Sequence, residues 1–153
     1  YKFENIPESE WMDLIHTNVT GVFLVTQIVG RTMLPRGSGK IINIASASGI
    51  KMTLPERICY CVSKAAIIHM TKLLAVEWAP RGITVNCIAP GVFDMYPNST
   101  DEKYLKMNQE RIKRVPLGRL GRGEELGSLA VYLASDASDY ITGETILIDG
   151  GRI

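Results

Sequence analysis

Apolar residues along this chain recur with two periods, and the changes between them divide it into helices and strands. Trp11, Leu14, Ile15, Val19, Val22, Phe23 and Thr26 fall three and four apart, which predicts one amphipathic helix over 7–33. Pro7 with Glu8 and Glu10 marks its start, because proline suits a first turn and acids suit its positive end. Proline and glycine at 35–39 break the pattern. The run Lys40-Ile41-Ile42-Asn43-Ile44-Ala45 is short and apolar, as a buried strand is. A loop over 46–56 leads to a long helix over 57–78, stopped by Pro80-Arg81-Gly82. A second buried strand follows at 83–88, then an irregular stretch and a charged helix over 101–114. The helix over 123–135 turns Leu126, Leu129, Ala130 and Leu133 inward, and a last strand at 145–148 is released by Gly150-Gly151.

Strands alternating with helices predict an α/β fold with a parallel sheet covered on both faces. Three strands are too few for a complete doubly wound sheet. The remainder is expected from upstream residues or from a partner chain, since an open edge and bare apolar faces invite aggregation. No repeat, linker or low-complexity stretch divides the sequence, so it is expected to belong to a single domain.

Composition narrows the function classes. The 153 residues are 46% hydrophobic and 22% charged, ordinary for a globular chain, with a net charge of +1. That balance gives no reason to expect nucleic acid or an anionic membrane as partner. No unbroken apolar run reaches the roughly eighteen residues a bilayer span needs, and no secretory pattern opens the chain. Three cysteines cannot close a disulfide framework and read as free thiols in a reducing cytoplasm. His16 and His69 show no ligand spacing to each other or to cysteine, so no metal is expected.

The chemistry concentrates in Tyr60-Cys61-Val62-Ser63-Lys64, with Ser46 fourteen residues upstream. Residues four apart share a helix face, so Lys64 lies beside Tyr60. An ammonium there favours the phenolate and brings a group of ordinary pKa ~10 toward use as an acid or base. Ser46 follows a strand, and active groups in parallel sheets gather at carboxyl ends of strands. Ser48 is close enough to compete for the same role. Asn18, seven residues after Trp11, falls in the apolar stripe of its helix; its amide needs a partner whether its role is structural or functional.

Five segments in order, Asn18-Val19-Thr20-Gly21, Ile42-Asn43-Ile44-Ala45-Ser46, Tyr60 through Lys64, Val85-Asn86-Cys87-Ile88-Ala89-Pro90-Gly91 and Ile148-Asp149-Gly150-Gly151, resemble the short-chain dehydrogenase/reductase family. The resemblance covers nearly the whole chain and is closest to its bacterial 3-oxoacyl-carrier-protein reductases and glucose or gluconate dehydrogenases. It implies a Rossmann-type sheet and an oxidoreductase interconverting a secondary alcohol and a carbonyl with NAD or NADP. It implies a catalytic set of Asn18, Ser46, Tyr60 and Lys64, Ser46 being chosen over Ser48 because it stands three before Gly49. Tyr60 would be the general acid or base, Ser46 would bond the carbonyl oxygen, and Asn18 would hold a water serving Lys64. Tyr60 and Lys64 would also meet the cofactor, and Pro90, Gly91, Val92 and Phe93 would line its nicotinamide.

Some features depart from that pattern. The separation from Ser46 to Tyr60 is one residue longer than usual, an excess expected to sit in the loop over 50–57. Met95 stands where the family often has Thr. No glycine-rich strand–turn–helix is present, which implies that residues 1–153 are the carboxyl-terminal part of the Rossmann-type domain. A non-catalytic fragment kept for assembly is the alternative reading. The segment over 94–114 would close over substrate, and Arg111, Lys113 and Arg114 fit either an anionic substrate or a solvated helix face. Homotetramer formation is expected through the Asn18 and Tyr60 helices, whose apolar residues include Phe23, Val25, Ile28, Ile68, Leu73 and Ala75.

Overall fold

The computed structural model describes residues 2–51 and 57–152. Their order is α1 (Glu8–Ile15), α2 (Gly21–Met33), β1 (Gly39–Ile44), α3 (Ile58–Trp78), β2 (Ile83–Pro90), α4 (Glu102–Ile112), α5 (Gly123–Ala134) and β3 (Thr145–Ile148). The three strands form one parallel sheet in the order β1-β2-β3. Gly39 pairs with Ile83 and Ile44 with Ile88, while Cys87 pairs with Thr145 and Pro90 with Ile148. The outer edge of β1 has no partner strand among the described residues.

Alternation along β2 sorts the two faces. Val85 and Cys87 point toward α3, where one cluster joins Ala75, Trp78, Ile83 and Val85 and a second joins Ala45, Ile67 and Cys87. Met33, Leu34 and Val22 from the α2 side pack against them. Asn86 and Ile88 point the other way, toward the side covered by α5. The buried Asn86 donates to Ile141 O at 2.8 Å and accepts Glu144 N–H at 3.1 Å, so its amide holds the turn entering β3. Asn43, also buried, donates to Thr71 Oγ1 at 2.9 Å and fastens β1 to α3. Both amides are satisfied, as burial requires.

Several expectations change. The single helix foreseen over 7–33 is two α-helices joined by a π-helical turn, His16–Thr20. Spacings of three and four residues cannot register one extra residue accommodated in a wide turn. Each strand boundary differs by no more than two residues from its prediction, and β3 is as read. Ala75 is not on an outer face: it is buried beside Trp78. By length and composition, two helical stretches are apolar enough to cross a membrane, Glu8–Arg36 at mean hydropathy 1.2 and Ile58–Arg81 at 1.3. Counting unbroken apolar runs overlooked them, because scattered polar residues interrupt but do not outweigh the apolar ones. In Ile58–Arg81 that apolar content lies against the sheet through Ile67, Ala75 and Trp78. The loop expected to absorb the extra residue before Tyr60 includes 52–56, which lie outside the described residues.

Ahead of α5, Arg119 grips Glu125 with two bonds, Nη1–Oε2 at 2.9 Å and Nη2–Oε1 at 2.6 Å. Glu125 Oε2 also accepts Arg122 N–H at 2.8 Å, capping the free amide at the helix start. The Arg119 guanidinium, with help from that amide, holds the Glu125 carboxyl down at about 2 against an ordinary 4.5. A depressed carboxylate contributes stability fully above 4.5, and that contribution is lost as pH falls through about 2. Glu125→Gln is therefore expected to lower the melting temperature at neutral pH and to flatten its acid dependence. Melting curves of the two proteins that stay parallel between pH 4.5 and pH 2 would contradict this.

Candidate functional site

β1 and β2 end side by side, and the segments leaving them frame a cavity of about 870 Å³. That is within the size range of small-molecule and cofactor sites. Ser46, Ser48, Tyr60, Lys64, Pro90, Gly91, Val92 and Phe93 all line it. Of the catalytic and cofactor-binding residues singled out by sequence, Asn18 is the one absent from the wall, and of the three cations singled out near the end of α4, Lys113 is absent too.

Ser46 leaves β1 in an extended conformation and begins the short 3-10 turn Ala47–Gly49. Its Oγ accepts Ser48 N–H at 3.2 Å, which fixes the hydroxyl at the sheet end. Gly49 is why this turn lies so close to α3. A Cβ placed on Gly49 would come within 2.8 Å of Ala65 N and of the Lys64 carbonyl carbon. Only glycine permits backbone to rest on backbone there.

Tyr60 and Lys64 stand one turn apart on α3, and Lys64 Nζ lies 5.7 Å from the Tyr60 ring centroid, within cation–π range. The same ammonium donates to Ile44 O at 3.3 Å, linking α3 to the last residue of β1. Burial pushes Lys64 below its ordinary value, while its interaction with Cys87 acts the other way. Cys87 is itself pushed up by burial. A thiol held in its neutral form offers the ammonium little compensation, so burial decides the direction for Lys64.

Asn18 sits in the π turn and reaches the site from behind. Its Nδ2 donates to Ser63 Oγ at 2.9 Å, and Ser63 Oγ donates to Tyr60 O at 2.8 Å. The amide thus anchors α3 at the residue just before Lys64, and through Ser63 reaches the Tyr60 carbonyl. Single wide turns in helices often mark functional positions. Ser63, fully buried, was not foreseen as a participant; its place between Tyr60 and Lys64 was the only sequence signal.

The far wall follows β2. Gly91 N–H donates to Ile148 O at 2.8 Å, and a Cβ on Gly91 would come within 2.5 Å of Asp149 Cβ. Val92 O accepts Gly121 N–H at 3.0 Å and Asp94 N–H donates to Gly121 O at 2.9 Å, so Phe93 is pinned in a short parallel bridge. Asp149 also accepts from Lys51 Nζ at 2.9 Å, and Lys51 donates further to Arg152 O. This clasp joins the segment after Ser46 to the one after β3, and nothing local in either segment announced it. Beyond Phe93, Met95, Met107, Arg111 and Arg114 complete the rim, with Arg57 and Arg152. Among the described residues no group of His, Cys, Asp or Glu is arranged to hold a metal ion.

A closely packed strand-end backbone beside an acid–base pair suits a flat ring. Gly91 to Phe93 offers such a surface, which a side chain at Gly91 would spoil, and Tyr60 with Lys64 stands at the same cavity. These residues therefore fit a nicotinamide.

The comparisons agree with that geometry. A family model described as enoyl-(acyl carrier protein) reductase matches residues 1–152. An NAD-dependent glycerol dehydrogenase of Listeria innocua is 42% identical over 150 residues, covering 98% of this chain and 58% of its own length. A 2-dehydro-3-deoxy-D-gluconate 5-dehydrogenase of Bacillus subtilis is 42% identical over 152 residues, covering 98% and 59%. Among solved structures, a gluconate 5-dehydrogenase from Burkholderia cenocepacia, in complex with NADP and tartrate, superposes with TM-score 0.87 at 37% identity. That match covers 99% of this chain and 59% of the other. The chain thus spans under two thirds of the relatives it matches. With sequence, fold and strand-end cavity in agreement, this chain belongs to the short-chain dehydrogenase/reductase family.

Proposed function

We propose that the polypeptide containing this chain is an NAD- or NADP-dependent oxidoreductase that interconverts a secondary alcohol and a carbonyl. The observation carrying this reading is the placement of Ser46, Tyr60 and Lys64 on one cavity that also exposes the Pro90–Phe93 backbone. Ser46 Oγ would donate to the carbonyl oxygen as negative charge develops there. Tyr60 would deliver the proton in reduction and remove it in oxidation, with Lys64 one turn away on the same helix. Asn18 would keep α3 in register through Ser63 and would hold a water serving Lys64. Pro90, Gly91, Val92 and Phe93 would hold the nicotinamide, which supplies or accepts the hydride.

Residues 1–153 are proposed to be the carboxyl-terminal part of one Rossmann-type domain. The edge of β1, which has no partner strand among the described residues, and the greater length of the relatives support this. A cytoplasmic setting accords with three free cysteines, Cys59, Cys61 and Cys87. The test is an absorbance assay of NAD and NADP, each in both redox states, on the longer polypeptide with alcohols and ketones. Absence of any substrate-dependent change would refute the oxidoreductase reading and favour a non-catalytic fragment kept for assembly.

The same polypeptide is proposed to be a homotetramer. Phe23, Val25 and Ile28 on α2 and Leu73 on α3 are exposed, with Val25 and Ile28 above 60%. Exposed apolar residues so close together favour burial against a second copy. Light scattering at micromolar concentration is expected to give four times the protomer mass, and a clean monomer would refute the assembly.

A further inference from the structure

The rim of the cavity is strongly cationic, and the charge comes from distant parts of the chain. Arg57 precedes α3, Arg111 and Arg114 come from the end of α4, and Arg152 follows β3. Lys64 adds a fifth positive group, against a single acid among the described residues, Glu110. That carboxylate is engaged with Lys113 Nζ at 2.6 Å. The Arg111 side chain bonds, among the described residues, only the neutral Asn108 Oδ1, at 3.4 Å. Among the described residues no ion pair joins a carboxylate to Arg57, Arg111, Arg114 or Arg152. On the far side of Phe93 the pattern is the reverse, since Arg119 and Arg122 both engage Glu125.

This separates two explanations that sequence left equal. A solvated helix face accounts for Lys113, which is exposed and paired with its own neighbour. It does not account for arginines from three segments converging on one cavity. Like charges gathered there repel, and a ligand that brings negative charge relieves the repulsion. Guanidinium suits that task, because its planar fork meets two oxygens of a carboxylate or phosphate at once.

We propose that the substrate is anionic: a hydroxy or oxo compound carrying a carboxylate or phosphate that Arg111 and Arg114 hold while its reacting carbon lies at Ser46 and Tyr60. This rests on the oxidoreductase reading and adds the charge class of its substrate. The test uses the longer polypeptide and matched pairs of compounds, 3-hydroxybutyrate against 2-butanol and glycerol 3-phosphate against glycerol. One anion of the two is expected to exceed its neutral partner by at least about 10-fold in kcat/KM, and which pair responds distinguishes carboxylate from phosphate. Arg111→Leu should cut that preference by about 10–100-fold, chiefly through KM, with partial recovery in Arg111→Lys. Equal use of neutral and anionic partners, or a preference that Arg111→Leu leaves intact, overturns the proposal while leaving the oxidoreductase reading standing. If no compound is turned over, the oxidoreductase reading fails, and calorimetry with the two anions decides the site alone. Binding that Arg111→Leu abolishes then supports the anion site, and absence of binding overturns it.

Discussion

Replacing Tyr60 by Phe is expected to lower turnover by about 10²–10⁴-fold, the usual worth of a positioned acid–base group. The substitution removes one hydroxyl, which has no hydrogen-bond partner among the described residues, so no buried group loses its mate. The ring itself remains to pack and to face Lys64 Nζ at 5.7 Å. Melting temperature should therefore change little while kcat falls. Retention of more than about a tenth of wild-type turnover would remove Tyr60 from the mechanism. The pH profile offers a second check. Burial pushes Lys64 below its ordinary value, so its charge is lost at lower pH than that of a free lysine. Wild-type oxidation should decline on the alkaline side from that earlier point, and Lys64→Arg should move the decline upward.

Gly49→Ala is expected to reduce kcat/KM by about 10²-fold at a stability cost of roughly 1–3 kcal/mol. The added Cβ would meet α3 backbone at Lys64 and Ala65, at 2.8 Å, and backbone there cannot rotate aside as a flexible side chain could. The turn must lift from the helix, carrying Ser46 with it, because Ser46 caps that same turn. A displacement of an ångström suffices to spoil the alignment of Ser46 with Tyr60. The separating measurement is cofactor binding: Pro90 to Phe93 lie on another segment, so affinity for NAD or NADP should fall much less than kcat. Unchanged activity in a normally folded variant would mean that the turn has slack, and that its closeness to α3 does not position Ser46.

What was legible in the sequence was mostly local. Apolar runs identified β1 and β2: β2 is buried almost throughout, which leaves few polar interruptions, and β1 carries the same kind of run although it is only partly buried and its Ile44 is exposed. The Tyr60–Lys64 spacing placed both groups on one side of α3, since that relation depends only on helix geometry. Relations between distant segments were not legible. Asn18 and Ser63 meet across 45 positions and Lys51 and Asp149 across 98, with nothing in any one segment to announce its mate. Ala75 resembled its outward neighbours in hydrophobicity, and only the docking of α3 on the sheet put it in one cluster with Ile83 and Val85. Arg57 and Arg152 carried no signal either, because their significance arises where the chain brings them together.

The π turn before α2 also sets a rule for length. An α-helix advances by about 100° per residue, so one residue absorbed in a wide turn shifts the phase of everything on one side of it. Here α1 and α2 keep separate angular settings, with Trp11 and Leu14 half-buried on one and Thr26 and Gly30 buried on the other. Deleting a single residue within 16–20 would let the backbone relax into one continuous α-helix. The two halves would then rotate against each other by most of a third of a turn, and Asn18 could not stay aimed at Ser63 while Trp11 kept its place. Substitutions in this stretch can be absorbed one side chain at a time, whereas a change of length is felt along the whole helix at once.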